Sequence, residues 1–165
     1  MKKLKLFLLI IISLTFSNQV LSEDKILESL KEGGKIIFIR HAYAPGGGDP
    51  ENFNINDCST QRNLSNEGIN QSKLIGEFFK TKKIKIDKVL SSEWCRCKDT
   101  AKFAKNEKKQ IKDLKNYIKN WKSNKNLILV THYVVISSIL NIAVGSGEIV
   151  ISDKNYEIIG SIDTM

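Results

Sequence analysis

The sequence predicts an α/β fold of three layers, α/β/α, with a mainly parallel sheet. Three short apolar runs free of internal charge, Ile36–Ile39, Val89–Leu90 with its flanks, and Leu127–Val130, have the length and β-branched character of buried strands. Segments with helical spacing of apolar residues separate them, and strands alternating with helices imply parallel pairing through crossovers. Each run ends in polar residues, Arg40-His41, Ser91-Ser92 and Thr131-His132.

In chain order, Asp24 to Lys31 forms a short helical lead-in, and Gly33-Gly34 turns the chain into a strand over Lys35 to Arg40. Pro45-Gly-Gly-Gly-Asp-Pro50 holds both prolines of the chain and marks about fifteen irregular residues. No helix start directly follows Gly46 to Gly48, so they read as a flexible lid or turn rather than a phosphate cradle. Ser65 caps a helix that runs to about Thr81, with Glu67 in its first turn and Leu74, Ile75, Phe78 and Phe79 on its apolar face. A strand over Lys88 to Ser92 follows, then helices over Trp94 to Lys105 and Lys109 to Trp121. Leu127 to Thr131 is a third strand, Val134 to Ala143 a helix. Glu148 to Ser152 and Tyr156 to Ile162 form a terminal hairpin turning at Asp153-Lys-Asn155.

Residues 1–22 read as a signal peptide: Met1 to Lys5 is a positive n-region, Leu6 to Phe16 is mostly apolar, and Val20 and Ser22 suit a cut before Glu23. The apolar stretch falls short of the roughly 20 residues that span a bilayer, so no stable membrane span is expected after cleavage. The expected location is periplasmic or secreted, and residues 23–165 form one domain. The net charge of +8 falls to about +5 once Lys2, Lys3 and Lys5 are removed. Its lysines are scattered as a solvated face, and without aromatic interleaving or a recognition motif nucleic acid is not an expected partner.

Three cysteines in an oxidising compartment allow one bridge, and Cys58 with either Cys95 or Cys97 is the better geometry. Together with a histidine they lack zinc-type spacing, so no metal and no cofactor are expected.

The chain has three arginines, Arg40, Arg62 and Arg96, against twenty-three lysines, and two histidines, His41 and His132. A planar two-pronged donor is irreplaceable by a point charge where an oxyanion is held. Ligands in open α/β sheets bind beyond the carboxyl ends of the strands, where both histidines stand and Arg96 follows Ser92 by one helical turn. A phosphoryl group in transfer needs fixed positive donors and an in-line nucleophile. An imidazole with a pKa near ~6.5 is substantially neutral at pH 7 and can take that group covalently.

Arg40-His41-Ala42 resembles the Arg-His-Gly/Ala signature of the histidine phosphatase superfamily, the phosphoglycerate-mutase-like proteins. Ser91-Ser92-Glu-Trp-Cys-Arg96-Cys-Lys-Asp-Thr100-Ala101 is similar to its second motif, Thr131-His132 to its third, and Leu64-Ser65-Asn-Glu-Gly68 to its Leu-Ser/Thr-x-x-Gly stretch. The resemblance runs from about Ile36 to Ala143. It implies a phosphoglycerate-mutase-like fold, His41 as phosphohistidine nucleophile, and Arg40, Arg96 and His132 as the phosphate pocket with Arg62 at its rim. The implied activity is metal-independent hydrolysis of a phosphoester or an activated phosphoryl group.

The sequence departs from that family in one respect. Most mutase-like members carry an acidic proton donor between the second and third motifs. Here residues 102–126 hold only Glu107 and Asp113, on solvated faces. Glu93 is the first candidate acid and Asp57 the second, although Asp57 would equally pair with Arg62. SixA-like phosphohistidine phosphatases, the smallest relatives, also lack a dedicated acid. Export points instead to a phosphorylated small molecule or envelope component as partner. The alternative is a degenerate module that binds a phospho-ligand without turnover.

Overall fold

A computed structural model describes residues 23–104 and 114–164. The expected leader, the start of the helix expected from Lys109, and Glu107 and Asp113 lie outside the described residues. Residues 23–32 are helical (α1), and after Gly33-Gly34 come β1 (Ile36–Arg40), a single 3-10 turn (Cys58–Thr60), α2 (Asn66–Thr81) and β2 (Ile86–Ser91). Then follow α3 (Cys95–Ala104), α4 (Leu114–Asn120), β3 (Asn126–Thr131), α5 (Tyr133–Leu140), β4 (Ile149–Ser152) and β5 (Ile158–Ile162). None of the described helices is long and apolar enough to cross a membrane.

The five strands form one sheet in the order β2-β3-β1-β4-β5. β1 and β2 both run parallel to β3, with Arg40 opposite Thr131, while β4 and β5 add as the antiparallel hairpin that the tail predicts. The parallel part is thus the three-stranded half that carries the polar strand ends.

Alternation along the central strands makes two cores. Ile37, Ile39, Ile128 and Val130 face α1, α2 and α3 through Leu30, Ile75, Phe79 and Cys97. Ile36, Phe38, Leu127 and Leu129 face α4 and α5 through Ile118, Ile136 and Leu140. Because β1 and β3 are buried on both faces, every apolar residue in them contributes, on the order of 1.5–3 kcal/mol for each large side chain.

Two helices differ from expectation. Leu74 is 55% exposed, and α2 instead buries Gln71, Ser72, Ile75 and Phe79, because its N-terminal half lies against the exit of β1, where Gln71 accepts from the Tyr43 N–H. α5 ends at Leu140, since Asn141 takes a left-handed conformation (φ 54°) and returns its N–H to the Ser137 carbonyl.

Ser65 caps α2 as expected, accepting from the Gly68 N–H. A Cβ on Gly68 would stand 2.0 Å from the Tyr43 carbonyl oxygen, so glycine lets the helix start close on the chain leaving His41. Replacing a helical glycine by alanine ordinarily gains about 1 kcal/mol. Gly68→Ala is expected to lose about 2 kcal/mol instead, from overpacking against backbone. Urea unfolding midpoints measure this, and a stabilised variant would show that α2 is free to shift.

Candidate active site

The β1–β3 register places His41 and His132, each one residue beyond its strand, side by side. Their ring centroids are 5.4 Å apart at an interplanar angle of 69°. The His41 N–H donates to the Thr131 carbonyl at 2.9 Å, which extends the ladder one step and fixes the nucleophile candidate's backbone. His41 is 3% exposed, and its Nδ1 lies 2.8 Å from the Ala42 carbonyl oxygen. A carbonyl only accepts, so Nδ1 carries the proton and Nε2 keeps its lone pair.

His132 is the N-cap residue of α5, half-buried, with Nε2 3.1 Å from Ser92 Oγ and the Trp94 ring edge-on at 5.0 Å. Ser92 therefore belongs to the site as a partner of His132, beyond the strand-ending role that the sequence suggests for it. Cys97, buried, sets its sulfur 3.6 Å from His132 Nε2. Burial pushes that thiol up to about 12, so it packs there as a neutral group.

Arg96, in the first turn of α3, is 6% exposed. Thr100 accepts from the Ala42 N–H at 3.0 Å and donates to the Arg96 carbonyl at 2.8 Å, tying α3 to the residue after His41. That link explains why a threonine stands four residues after the arginine. Arg40 donates from Nη1 to the Val144 carbonyl at 2.8 Å and faces the Tyr133 ring, and Arg62 donates to the Ala44 carbonyl. Nε of all three arginines is buried without a hydrogen-bond partner.

These cations act together on the histidines. Burial lowers the His41 pKa to about 4; the bond to Ala42 opposes the shift, and Arg96, Arg40 and Arg62 add to it. His132 is likewise lowered to about 4, by burial first and then by Arg96 and His41.

Of the two candidate acids, Asp57 turns away. It is exposed, accepts from the Ser59 N–H and hydroxyl at 2.9 and 2.7 Å, and caps the 3-10 turn rather than pairing with Arg62. Glu93 is half-buried in the bend between β2 and α3. Among the described residues, the carboxylate that Arg96 holds is one the sequence reading passed over, Asp49. It takes Nη1 and Nη2 of Arg96 at 2.7 and 3.2 Å, the Trp94 indole N–H at 3.1 Å and the Arg62 amide at 3.0 Å. Desolvation opposes its ionisation, but the bonds from Arg96, Arg62 and Trp94 outweigh it and hold its pKa below the usual value.

The model of the histidine phosphatase superfamily, branch 1, matches residues 36–116, which include His41, Arg62 and Arg96. Over that stretch, just under half of the chain, the sequence matches the histidine phosphatase superfamily. His132 lies beyond the matched stretch and joins the site through the sheet register. The protein histidine phosphatase SixA, solved with tungstate, superposes with a TM-score of 0.59 at 12% identity, over 79% of this chain and 97% of that one. A SixA protein from Agrobacterium tumefaciens gives 0.54 at 16% identity, over 79% and 98%. These likenesses establish the fold. No curated protein matches the sequence.

The depressed histidines make stability pH-dependent. An unfolded chain protonates them near ~6.5, whereas the folded chain keeps them neutral to about pH 4. The unfolded state therefore binds more protons in between, and this contribution is complete above pH 6.5 and lost as pH falls toward 4. The Asp49 contribution is lost only below its ordinary 3.8, in a separate window. Melting temperatures should fall steadily from pH 7 to pH 4.5, with a shallower slope in His132→Gln; a flat profile would show solvated imidazoles.

Proposed function

We propose that this chain is a member of that superfamily and a phosphatase working through phosphorylated His41 without a metal. The observation that carries the reading is the neutral, buried His41 with Nδ1–H held by Ala42, leaving Nε2 as a nucleophile amid three arginines. Nε2 attacks phosphorus, the bond to the leaving oxygen or nitrogen breaks, and the leaving group takes the electron pair. Water then attacks the phosphohistidine, releasing phosphate and restoring neutral His41. Arg40, Arg96 and Arg62 supply donors to the equatorial oxygens. His132, neutral in the empty pocket, becomes a better proton donor once a phosphoryl dianion lies beside it.

Asp49 is ionised while bound to Arg96 and offers no proton in that state. This favours leaving groups that depart without strong acid assistance, such as phosphoramidates, acyl phosphates or anhydrides. It also favours, as the second reading, binding of a phospho-ligand without turnover. Export is part of the proposal: a bridge between Cys58 and Cys95 suits an oxidising compartment and the apparent leader of residues 1–22. An envelope phosphomonoester or a scavenged metabolite then becomes a reachable substrate.

Rapid quench with a labelled activated phosphoester should trap acid-labile phosphate on His41, and His41→Ala should lose both label and p-nitrophenyl phosphate hydrolysis. A folded wild type with neither label nor hydrolysis would favour the binding module. Arg96→Lys should lower kcat/KM about 100-fold despite keeping the charge, because the two-pronged donor is gone. Chelators should leave the rate unchanged, and inhibition by them would point to a metal.

A further inference from the structure

The Arg96 fork is already filled. Asp49 presents two oxygens in one plane to Nη1 and Nη2, the arrangement by which an arginine holds two oxygens of a phosphoryl group. The Arg62 amide donates to Oδ1 of Asp49 and the Trp94 indole to its Oδ2. With side chains 7% and 18% exposed, the pair is largely removed from water. A phosphoryl dianion cannot share that fork, since two anions a few ångströms apart repel strongly in a partly desolvated pocket.

Asp49 also sits where it can leave. It follows Gly46-Gly47-Gly48, in which Gly46 and Gly48 have positive φ, 87° and 80°, so the chain entering it turns on residues without side-chain restraint, while Pro50 stiffens the chain leaving it. The base of the loop is held separately, by Arg62 on the Ala44 carbonyl. Nothing in a purely structural ion pair calls for a carboxylate on a glycine-rich loop, placed on the arginine expected to bind substrate.

We propose that Asp49 is an internal competitor for the phosphoryl group, filling the Arg96 fork in the ligand-free chain and yielding it only to a ligand that displaces the carboxylate. The inference rests on the phosphate-pocket reading and adds a specificity rule to it. A tetrahedral dianion has the charge and the spare oxygens to displace a carboxylate; a monoanion such as a phosphodiester does not. The substrate class is thereby narrowed to terminal phosphoryl groups.

Inorganic phosphate and dimethyl phosphate, titrated calorimetrically at pH 8 into wild type and Asp49→Asn, test this. Removing the competitor raises the fraction of open pocket, so phosphate should bind about tenfold more tightly. Discrimination against dimethyl phosphate should narrow. If Asp49 merely braces Arg96, the sign reverses and phosphate binds more weakly; unchanged affinity or unchanged discrimination also overturns the proposal. Should Asp49→Asn not fold, wild type answers by itself through its two indole N–H resonances. On saturation with phosphate the Trp94 resonance should move while that of Trp121, bonded to Asp87 Oδ2 at 3.0 Å, stays. Phosphate binding with Trp94 unmoved would sink the competitor alone. Phosphate binding to neither protein, with no label trapped on His41, would instead remove the pocket reading and this inference with it.

Discussion

Parallel pairing of β1 with β3 sets Arg40 opposite Thr131, and the residues that follow, His41 and His132, inherit that alignment. A one-residue slip would turn every side chain of one strand to the other face, so the register is enforced by both cores together. Ile37 and Ile39 must face one helical layer while Ile36 and Phe38 face the other. The energy that specifies the site is thus hydrophobic and lies in the strands, not among the polar residues that use it. Thr100 and Gly68 transmit the same alignment to α3 and α2 by touching the chain within two residues of His41.

That placement creates an electrostatic problem with a definite solution. Three guanidinium groups lie close enough to His41 to depress its basicity, and Arg96 is almost wholly buried. A buried cation without a partner is destabilising by several kcal/mol, and breaking such a pair costs about 3–5 kcal/mol. Part of the compensation comes from the two imidazoles staying neutral, which keeps two further positive charges out of the cluster. Asp49 supplies the rest at Arg96. The unpaired Nε donors of Arg40, Arg62 and Arg96 show that compensation stops short of full satisfaction, which suits the proposed role of these arginines in holding an anion.

The strands and the two histidines could be read from the chain because they depend on local signals: β-branched runs, their polar ends and the caps and turns between them. Ser65, the terminal hairpin and a bridge from Cys58 belong to the same class. Asp49 could not, because its role depends on Arg96, 47 residues away, and on the path of a glycine-rich loop with no periodicity. One signal did exist: an aspartate between glycine and proline in a chain with so few arginines. Asp57 misled for the complementary reason, since its nearness to Arg62 in sequence says little when a local turn can satisfy it first. Leu74 looked apolar enough for the core, yet the buried stripe of α2 runs through Gln71, Ser72, Ile75 and Phe79 and leaves it exposed.

The bridge between Cys58 and Cys95 carries the remaining constraint on the loop. It closes 37 residues of chain and joins the 3-10 turn to the residue before Arg96. In a chain-entropy account a closure of that length contributes about 3–4 kcal/mol. Gln61, 5% exposed, doubles the link by accepting from the Cys95 N–H at 2.9 Å while its amide holds the Asn54 and Ile55 carbonyls. The loop is therefore fixed at its far end, near residues 54–61, and at its base, by Arg62 on Ala44, with Asp49, which follows three glycines, between. Such a division lets a short segment move without disordering the arginine beneath it. Because one anchor is a disulfide, the proposed export to a compartment that keeps thiols oxidised would also preserve the hold on this loop.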